Sequence, residues 1–138
     1  MKSVILFLAA CLISISGLAQ DQEVKILFDV TSADEGTHKS TIRHVKFMSD
    51  AYPKSQFEIV LYSKSINMVL KDKSVVQEDL ENLLARENVE VKICNGTMNR
   101  YELGKEALIE GVDIVPDGIM EIVMKQQEGW SYIKESHN

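Results

Sequence analysis

Short apolar runs rich in β-branched residues alternate five times with helix-like segments, and this order constrains the fold more than any other feature. The first run spans 24–30, and its length and dense apolar composition predict a buried strand. The other predicted strands are 56–62, 89–94, 112–115 and, at a sheet edge, 131–134. The predicted helical segments run from 37 or 40 to 52, 66–70, from 74 or 77 to 86, 95–103 and 117–127. Such alternation predicts an α/β domain, with a mainly parallel five-stranded sheet and helices on both faces.

The loops that follow the strands are the expected place for chemistry. Right-handed crossovers bring these loops to one edge of a parallel sheet. Ligands and reacting groups in such sheets lie at the carboxyl ends of the strands. The loops concerned are 31–36, 63–65, 94–98 and 116–118.

The first twenty residues differ in composition from the rest of the chain. Lys2 precedes an apolar run over 4–18, and Gly17-Leu18-Ala19 places small residues where a signal peptidase cleaves. This pattern predicts a secretory signal peptide, 1–19, cleaved after Ala19, with a single domain over 20–138. The run is too short for a comfortable transmembrane helix, so no membrane span is expected after cleavage. The protein is therefore expected in the periplasm or outside the cell.

A lipoprotein signal is the less favoured alternative for the same segment. Leu8-Ala9-Ala10-Cys11 matches the short box that precedes a lipid-modified cysteine. Cleavage there would leave only ten residues ahead of Cys11 in the signal, and an apolar run on the mature chain. Plain export removes Cys11 and leaves Cys94 as the single cysteine.

The charge balance and the motifs exclude several classes of function. The chain has 15 basic and 21 acidic residues without a basic cluster, so nucleic-acid binding is not expected. His38, His44 and His137 lack metal-ligand spacing and are predicted to lie on the surface, so no metal is expected. No glycine-rich phosphate loop or Gly-x-Ser-x-Gly elbow is visible, so no cofactor and no hydrolase are predicted.

Several apolar residues are predicted to fill the core. Met68, Met98, Met120 and Met124 are interpreted as core-filling residues. Trp130 and Tyr132 are interpreted as residues at the sheet edge or at a subunit contact, with a core position as the alternative for Trp130. The helix over 117–127 carries apolar residues around much of its circumference, so it is expected to be well buried.

Cys94 is the candidate for reactivity, because it ends the third predicted strand directly before a helix. A helix N-terminus carries partial positive charge and free N–H donors, which favour a thiolate. An unpaired thiol is also unusual in an exported protein. Two other interpretations stay open: a buried structural cysteine that packs as a small hydrophobe, or a partner in an intermolecular disulfide.

Three segments together resemble the DsrE/DsrF-like family, and in particular its exported single-domain members. They are Phe28-Asp29-Val30-Thr31-Ser32-Ala33-Asp34, Cys94-Asn95-Gly96-Thr97-Met98 and the stretch from Gly111 to Lys134 that contains Val115-Pro116-Asp117-Gly118. The resemblance covers about 24–134. It implies a layered α/β/α fold, the same as the one predicted from the order of the elements.

The resemblance also implies a function. Relatives in sulfur relays form oligomers and carry sulfur as a persulfide on a cysteine after a central strand, and Cys94 occupies that position. On this basis we expect a homo-oligomer in which Cys94 takes up sulfane sulfur and passes it to a thiol or persulfide of a partner protein. Thr31, Ser32, Asn95 and Thr97 are expected to line the pocket. Whether this amounts to sulfurtransferase activity stays open, and the alternative is a non-catalytic ligand-binding or assembly module with a structural Cys94.

Overall fold

The computed structural model describes residues 23–136. The predicted signal peptide over 1–19, the alternative lipid site at Cys11 and the predicted surface residue His137 lie outside the described residues. Within 23–136, no helix has the length and the apolar character needed to cross a membrane.

Five parallel strands form one sheet, as predicted. The strands are β1 Lys25–Val30, β2 Gln56–Leu61, β3 Val89–Cys94, β4 Asp113–Val115 and β5 Ser131–Lys134. Their spatial order is β4-β3-β2-β1-β5, and every neighbouring pair is parallel. The predicted edge position of β5 is therefore confirmed. Because all strands run the same way, their carboxyl ends meet at one edge of the sheet.

Helices cover both faces of this sheet, which confirms the predicted fold class. The α-helices are α1 Glu35–Ala51, α2 Gln77–Leu84, α3 Asn95–Arg100 and α4 Gly118–Gln127. Two 3₁₀ helices span Ser63–Val69 and Lys105–Ala107. Asp34 caps α1, since its carboxylate accepts a hydrogen bond from the Thr37 amide at 2.6 Å.

The two faces of the sheet differ sharply in their packing. The large core lies on the face covered by α1 and α2, where Phe28, Ile59 and Ile93 are almost fully buried. The other face carries a small apolar cluster of Leu27, Val60, Ile122 and Trp130. Among the described residues, α4 is the helix that packs over this second face. Side chains alternate along each strand, so one strand supplies both faces.

The prediction that α4 is well buried was wrong. Ile119, Met120, Val123 and Met124 are between 41% and 60% exposed, and the core role predicted for Met120 and Met124 fails with them. Apolar residues surround this helix, so its sequence does not show which side faces the sheet. Met68 and Met98 are buried, as predicted, and Trp130 is buried as its alternative interpretation had it.

The prediction of a surface position for His38 was also wrong. His38 is 2% exposed, and its Nε2–H donates a hydrogen bond to the carbonyl of Ser32 at 2.8 Å. A buried imidazole needs such a partner because an unpaired polar group is costly inside a protein. The local contact between helix and loop was not visible as a spacing pattern in the sequence.

Candidate functional site

Cys94 is the last residue of β3 and immediately precedes α3. Its thiol is unpaired and half-buried. It lies on the face of the sheet that α4 covers, because Ile93, one residue earlier, belongs to the core on the opposite face. Cys94 therefore lies at a strand-to-helix junction on the carboxyl edge of the sheet, the position that the sequence predicts.

Two glycines leave room around Cys94. A Cβ atom on Gly118, the first residue of α4, would lie 3.1 Å from the Cβ of Cys94 and 3.5 Å from the Cβ of Tyr62. A Cβ atom on Gly96 would lie 3.6 Å from the Cys94 sulfur. The first of these distances is tight enough that a side chain would force a neighbour to shift. The close approach of α4 to the thiol therefore depends on a residue without a side chain.

Cys94 opens into a cavity of about 380 Å³. The residues that line it are Tyr62, Ser63, Cys94, Gly96, Thr97, Arg100, Pro116, Asp117 and Ile119. They come from the loops that follow β2, β3 and β4, which is where the order of elements predicts a site. One cation, Arg100, and one anion, Asp117, contribute to the lining.

The loop after β2 is held against α3 by a short hydrogen bond. Ser63 has a left-handed backbone with φ of 63°, and its amide donates to Thr97 Oγ1 at 2.9 Å. Thr97 is 6% exposed, so this hydroxyl is committed to shaping the wall of the cavity. Left-handed backbone is uncommon for a residue with a side chain, and the hydrogen bond helps to maintain it here.

Of the four predicted pocket residues, the structure places only Thr97 in the lining of this cavity. Asn95 is exposed at the start of α3. Thr31 Oγ1 accepts a hydrogen bond from Lys134 at 2.7 Å, and Ser32 Oγ accepts one from the Asp34 amide at 3.0 Å. A substrate-binding role for these residues stays a prediction.

The sequence interpretation missed Tyr62 and Arg100, and it placed Gly118 in a loop at the expected edge without assigning it a contact with the thiol. Tyr62 could have been found, because it follows Leu61, which pairs with Ile93, and so it lies beside Cys94. Arg100 is the last residue of α3, six residues after Cys94, and this spacing does not place the two on one face of a helix. The approach of Gly118 depends on how α4 packs, and no local pattern signals it.

A buried carboxylate lies next to this site on the same face. Asp29 is 3% exposed, and it accepts a hydrogen bond from the Tyr132 hydroxyl at 2.6 Å and pairs with Lys134 at 3.2 Å. Burial, followed by the hydrogen bond to Asp29, raises the pKa of Tyr132 to about 12. Burial and the nearby Asp29 also raise the pKa of Tyr62.

A second charged cluster lies under α4. The side chain of Glu58 is fully buried at the centre of the sheet, and it pairs with Lys92 at 2.9 Å and with Lys125 at 3.1 Å. Lys92 also pairs with Glu121 and Glu90, each at 3.0 Å. Burial raises the pKa of Glu58 despite its two cationic partners. Burial opposes the charged form of Lys92, but its three carboxylate partners raise its pKa overall.

Metal ligands are not grouped in the described part of the chain. Within residues 23–136, no set of three or more histidine, cysteine, aspartate or glutamate side chains is placed to hold a metal ion. The polar groups that line the cavity are the Cys94 thiol, the Arg100 guanidinium, the Asp117 carboxylate and the hydroxyl groups of Tyr62, Ser63 and Thr97.

The fold and the site together define a class of protein, namely parallel α/β domains with an unpaired thiol at the carboxyl edge of the sheet. The sequence profile of the DsrE/DsrF-like family matches residues 16–134, and the chain belongs to this family. Members of the family are generally implicated in sulfur relay. A search of curated proteins gives no match.

Two solved structures share this fold. MTH1491 from Methanobacterium thermoautotrophicum, described as a protein of unknown function, is 28% identical with a TM-score of 0.76. That match covers 81% of this chain and 99% of MTH1491. The ychN protein from E. coli is 19% identical with a TM-score of 0.67, over 82% of this chain and 98% of that one. At this lower identity, the likeness to ychN supports the fold alone.

Proposed function

We propose that this protein carries sulfane sulfur as a persulfide on Cys94 and passes it to the thiol of a partner protein. The observation that carries this proposal is the half-buried, unpaired thiol that opens into a cavity at the carboxyl edge of a DsrE/DsrF-like fold. A single thiol is sufficient for this role, because sulfur transfer between thiols needs no metal, no bound cofactor and no second side chain that acts as a general base.

The proposed transfer conserves atoms and electrons. The Cys94 thiolate attacks the outer sulfur of a donor persulfide, R–S–SH. A bond forms between the Cys94 sulfur and the outer sulfur, the S–S bond of the donor breaks, and R–S⁻ leaves and takes a proton from solvent. In the second step an acceptor thiolate attacks the outer sulfur on Cys94 and releases the Cys94 thiolate. Neither step needs an external oxidant or reductant.

Arg100 suggests the kind of donor that suits the cavity. Arg100 lines the cavity beside Cys94, and within residues 23–136 its guanidinium makes no hydrogen bond or ion pair. A guanidinium binds oxyanions such as carboxylate or sulfonate groups with two hydrogen bonds. We therefore expect faster loading from donors with an anionic group, such as thiosulfate or glutathione persulfide, than from a neutral persulfide.

The experiment is mass spectrometry of the folded protein after treatment with glutathione persulfide. Trypsin cleaves after Lys92 and Arg100, so peptide 93–100 contains Cys94 as its only cysteine. After alkylation, this peptide should carry one additional sulfur atom, an increase of ~32 Da. Arg100→Gln, in which trypsin next cleaves after Lys105 so that peptide 93–105 is measured, should slow the loading. Arg100→Lys should recover part of it because the positive charge is kept.

The control is Cys94→Ser, which has nearly the same size and no thiol. Its peptide 93–100 should show no added sulfur under the same conditions. Absence of the adduct from the peptide of the unmodified chain, at donor concentrations that load free cysteine, would contradict the proposal.

A second candidate is a non-catalytic assembly module in which Cys94 has a structural role. The observation that favours it is the apolar side of α4, formed by Ile119, Met120, Val123 and Met124, which is exposed to solvent. Large exposed apolar patches mark interaction surfaces. This candidate predicts slow alkylation of native Cys94 and an unchanged phenotype for Cys94→Ser. Rapid alkylation near neutral pH would exclude it.

We also propose export of the protein, on the basis of the composition of residues 1–20. Cleavage after Ala19 predicts a mature chain that begins at Gln20. Intact mass measurement of protein purified from the periplasm or the medium tests this directly. A mass that corresponds to the full chain, or to a lipid-modified chain beginning at Cys11, would contradict it.

A further inference from the structure

α4 lies on the sheet in an orientation that the hydrophobic effect alone does not explain. Ile119, Met120, Val123 and Met124 face outward, whereas the charged residues Glu121 and Lys125 face the sheet and are less than 20% exposed. A surface helix normally directs its apolar stripe to the core and its charges to solvent. Some other interaction must therefore hold α4 in this rotation about its axis.

The charged residues beneath the helix provide that interaction. Glu121 and Lys125 are one helical turn apart, and they face Lys92 on β3 and Glu58 on β2. The distances are 3.0 Å from Glu121 to Lys92 and 3.1 Å from Lys125 to Glu58. Each charge on the helix thus opposes the opposite charge on the sheet. Lys92 and Glu58 pair with each other at 2.9 Å, which joins the two contacts into one network.

The apolar contact between α4 and the sheet is small by comparison. Ile122 is the α4 residue in the cluster that it forms with Leu27, Val60 and Trp130. Buried ion pairs add little net stability, but they penalise alternatives that separate the charges. Turning α4 to bury its apolar side would leave Glu58 without Lys125 in a buried setting, and that would be costly. The network therefore selects a rotation of the helix rather than strengthening the fold as a whole.

The rotation of α4 decides what faces the thiol. Gly118 is the first residue of α4, and a Cβ there would approach the Cβ of Cys94 to 3.1 Å. Ile119, the next residue, lines the same cavity. Successive residues of a helix point about 100° apart, so rotating α4 about its axis towards that angle moves Gly118 away from the thiol and brings a side chain to this contact.

We propose that Lys125 and Glu121, with Glu58 and Lys92, are positioning residues for Cys94. They hold α4 in the rotation that keeps Gly118 against the thiol and leaves the sulfur accessible from the cavity. This role rests on the proposed function of Cys94 for its biological meaning. The test of the positioning role measures only the reactivity of the thiol. The positioning role can therefore fail while the proposed sulfur transfer holds, and sulfur transfer can fail while the positioning role holds.

The test exchanges the two helix charges in the full chain, as the double variant Glu121→Lys and Lys125→Glu. Composition, net charge and chain length stay the same, but each helix charge now faces a like charge on the sheet. The matched control exchanges Glu35 and Lys39, an exposed ion pair with the same spacing on α1. Circular dichroism checks folding, and the rate of Cys94 alkylation by iodoacetamide is measured from pH 6 to pH 10.

We expect the exchange on α4 to slow alkylation at least fivefold and to displace its pH profile, whereas the control keeps the original profile. An unchanged or faster rate in the folded α4 variant overturns the proposal, and so does an equal effect in the control.

If the exchange prevents folding, the single variants Lys125→Met and Lys125→Arg test the proposal instead. Methionine should slow alkylation and arginine should restore it; equal rates in all three proteins overturn the proposal.

Discussion

Single residues around Cys94 act largely through the space that they leave. Gly96 and Gly118 keep side-chain atoms away from the sulfur and from its Cβ. Thr97 shapes the wall by accepting the Ser63 amide, and Arg100 adds a cation without a partner among residues 23–136. The thiol is thus accessible to a donor of modest size, and the Arg100 guanidinium in the cavity wall favours an anionic donor.

Gly118→Ala tests whether the close approach of α4 matters. Overpacking costs about 1–3 kcal/mol, and alanine recovers up to about 1 kcal/mol of helix propensity, so we expect a net loss of about 1 kcal/mol. Alkylation of Cys94 should slow because the new methyl group pushes against the Cβ of Cys94. Urea denaturation and thiol titration with a chromogenic disulfide measure the two effects.

Gly129→Ala is the control for this substitution. Gly129 has a left-handed backbone with φ of 88° and open space where a Cβ would lie. Alanine there should cost about 1–2 kcal/mol through backbone strain and leave Cys94 reactivity unchanged. Equal alkylation rates in Gly118→Ala and the unmodified protein would show that the contact has no influence on the thiol.

Tyr132→Phe tests the hydrogen bond to the buried Asp29 carboxylate. The hydroxyl donates at 2.6 Å, and hydrogen bonds to charged groups contribute about 1.5–3 kcal/mol. Tyr132 is partly exposed, so we expect a loss near the lower end, about 1–2 kcal/mol. Urea denaturation at pH 7 measures it, and equal stability of the two proteins would contradict the assigned role of this bond.

The raised pKa of Tyr132 gives this contribution a defined pH range. A group whose pKa is higher in the folded state stabilises the fold fully below its unfolded pKa, here 10. The contribution is lost as the pH rises from there towards the folded value of about 12. The stability difference between Tyr132→Phe and the unmodified protein should therefore be constant from pH 7 to pH 9 and shrink above pH 10. Ultraviolet absorbance of the tyrosinate gives the pKa independently.

At the scale of elements, α4 connects the charged cluster around Glu58 to the thiol. Its N-cap, Asp117, accepts hydrogen bonds from the amides of Ile119 at 2.8 Å and Met120 at 3.1 Å. The same aspartate lines the cavity of Cys94. The start of this helix therefore has a structural task and forms part of the site.

Asp117→Ala should lower stability by about 1 kcal/mol, the usual cost of losing an N-cap. Asp34→Ala, which removes the N-cap of α1, should cost a similar amount. Only the Asp117 variant is expected to change the rate at which Cys94 is alkylated, because its helix forms the wall of the cavity. Urea denaturation and Cys94 alkylation are measured in parallel on both variants. Equal alkylation rates in the two variants would contradict the role of Asp117 in the cavity wall.

The difficulty of predicting α4 has a physical cause. Strand runs such as 24–30 and 89–94 are specified by dense apolar residues with a clear length, and the predicted sheet matches the structure. In α4, apolar residues surround the helix, and the charges that orient it come from β2 and β3, far away in the sequence. A local pattern contains no information about such partners. The same limit applies to His38, whose partner is a loop carbonyl.

At the scale of the whole molecule, the exposed side of α4 predicts self-association. Ile119, Met120, Val123 and Met124 form one apolar stripe, and contiguous stripes of this kind are seldom left in water. We expect sedimentation velocity to show an oligomer that Val123→Glu dissociates, whereas Gln126→Glu on the same helix does not. A monomer at all concentrations would contradict this prediction.

The position of Cys94 could be predicted from the order of the elements, since strands of one direction place their following loops together. The wall of its cavity could not be predicted in full. Tyr62 follows from the register of β2 and β3, but Gly118 reaches the thiol only through the packing of α4. Thr31 is engaged instead by Lys134 of β5, and Ser32 by the amide of Asp34 within the same loop. The contact with Lys134 joins distant parts of the sequence, so no local spacing reveals it.

The central claim is that the fold makes Cys94 accept sulfane sulfur faster than a cysteine in an unfolded chain does. The most direct measurement compares sulfur loading of peptide 93–100 in the folded protein and in the same protein unfolded in urea, each with glutathione persulfide at matched concentration. We predict at least tenfold faster loading of the folded protein at pH 7, with the difference reduced in Arg100→Gln. Equal or faster loading of the unfolded chain would contradict the claim.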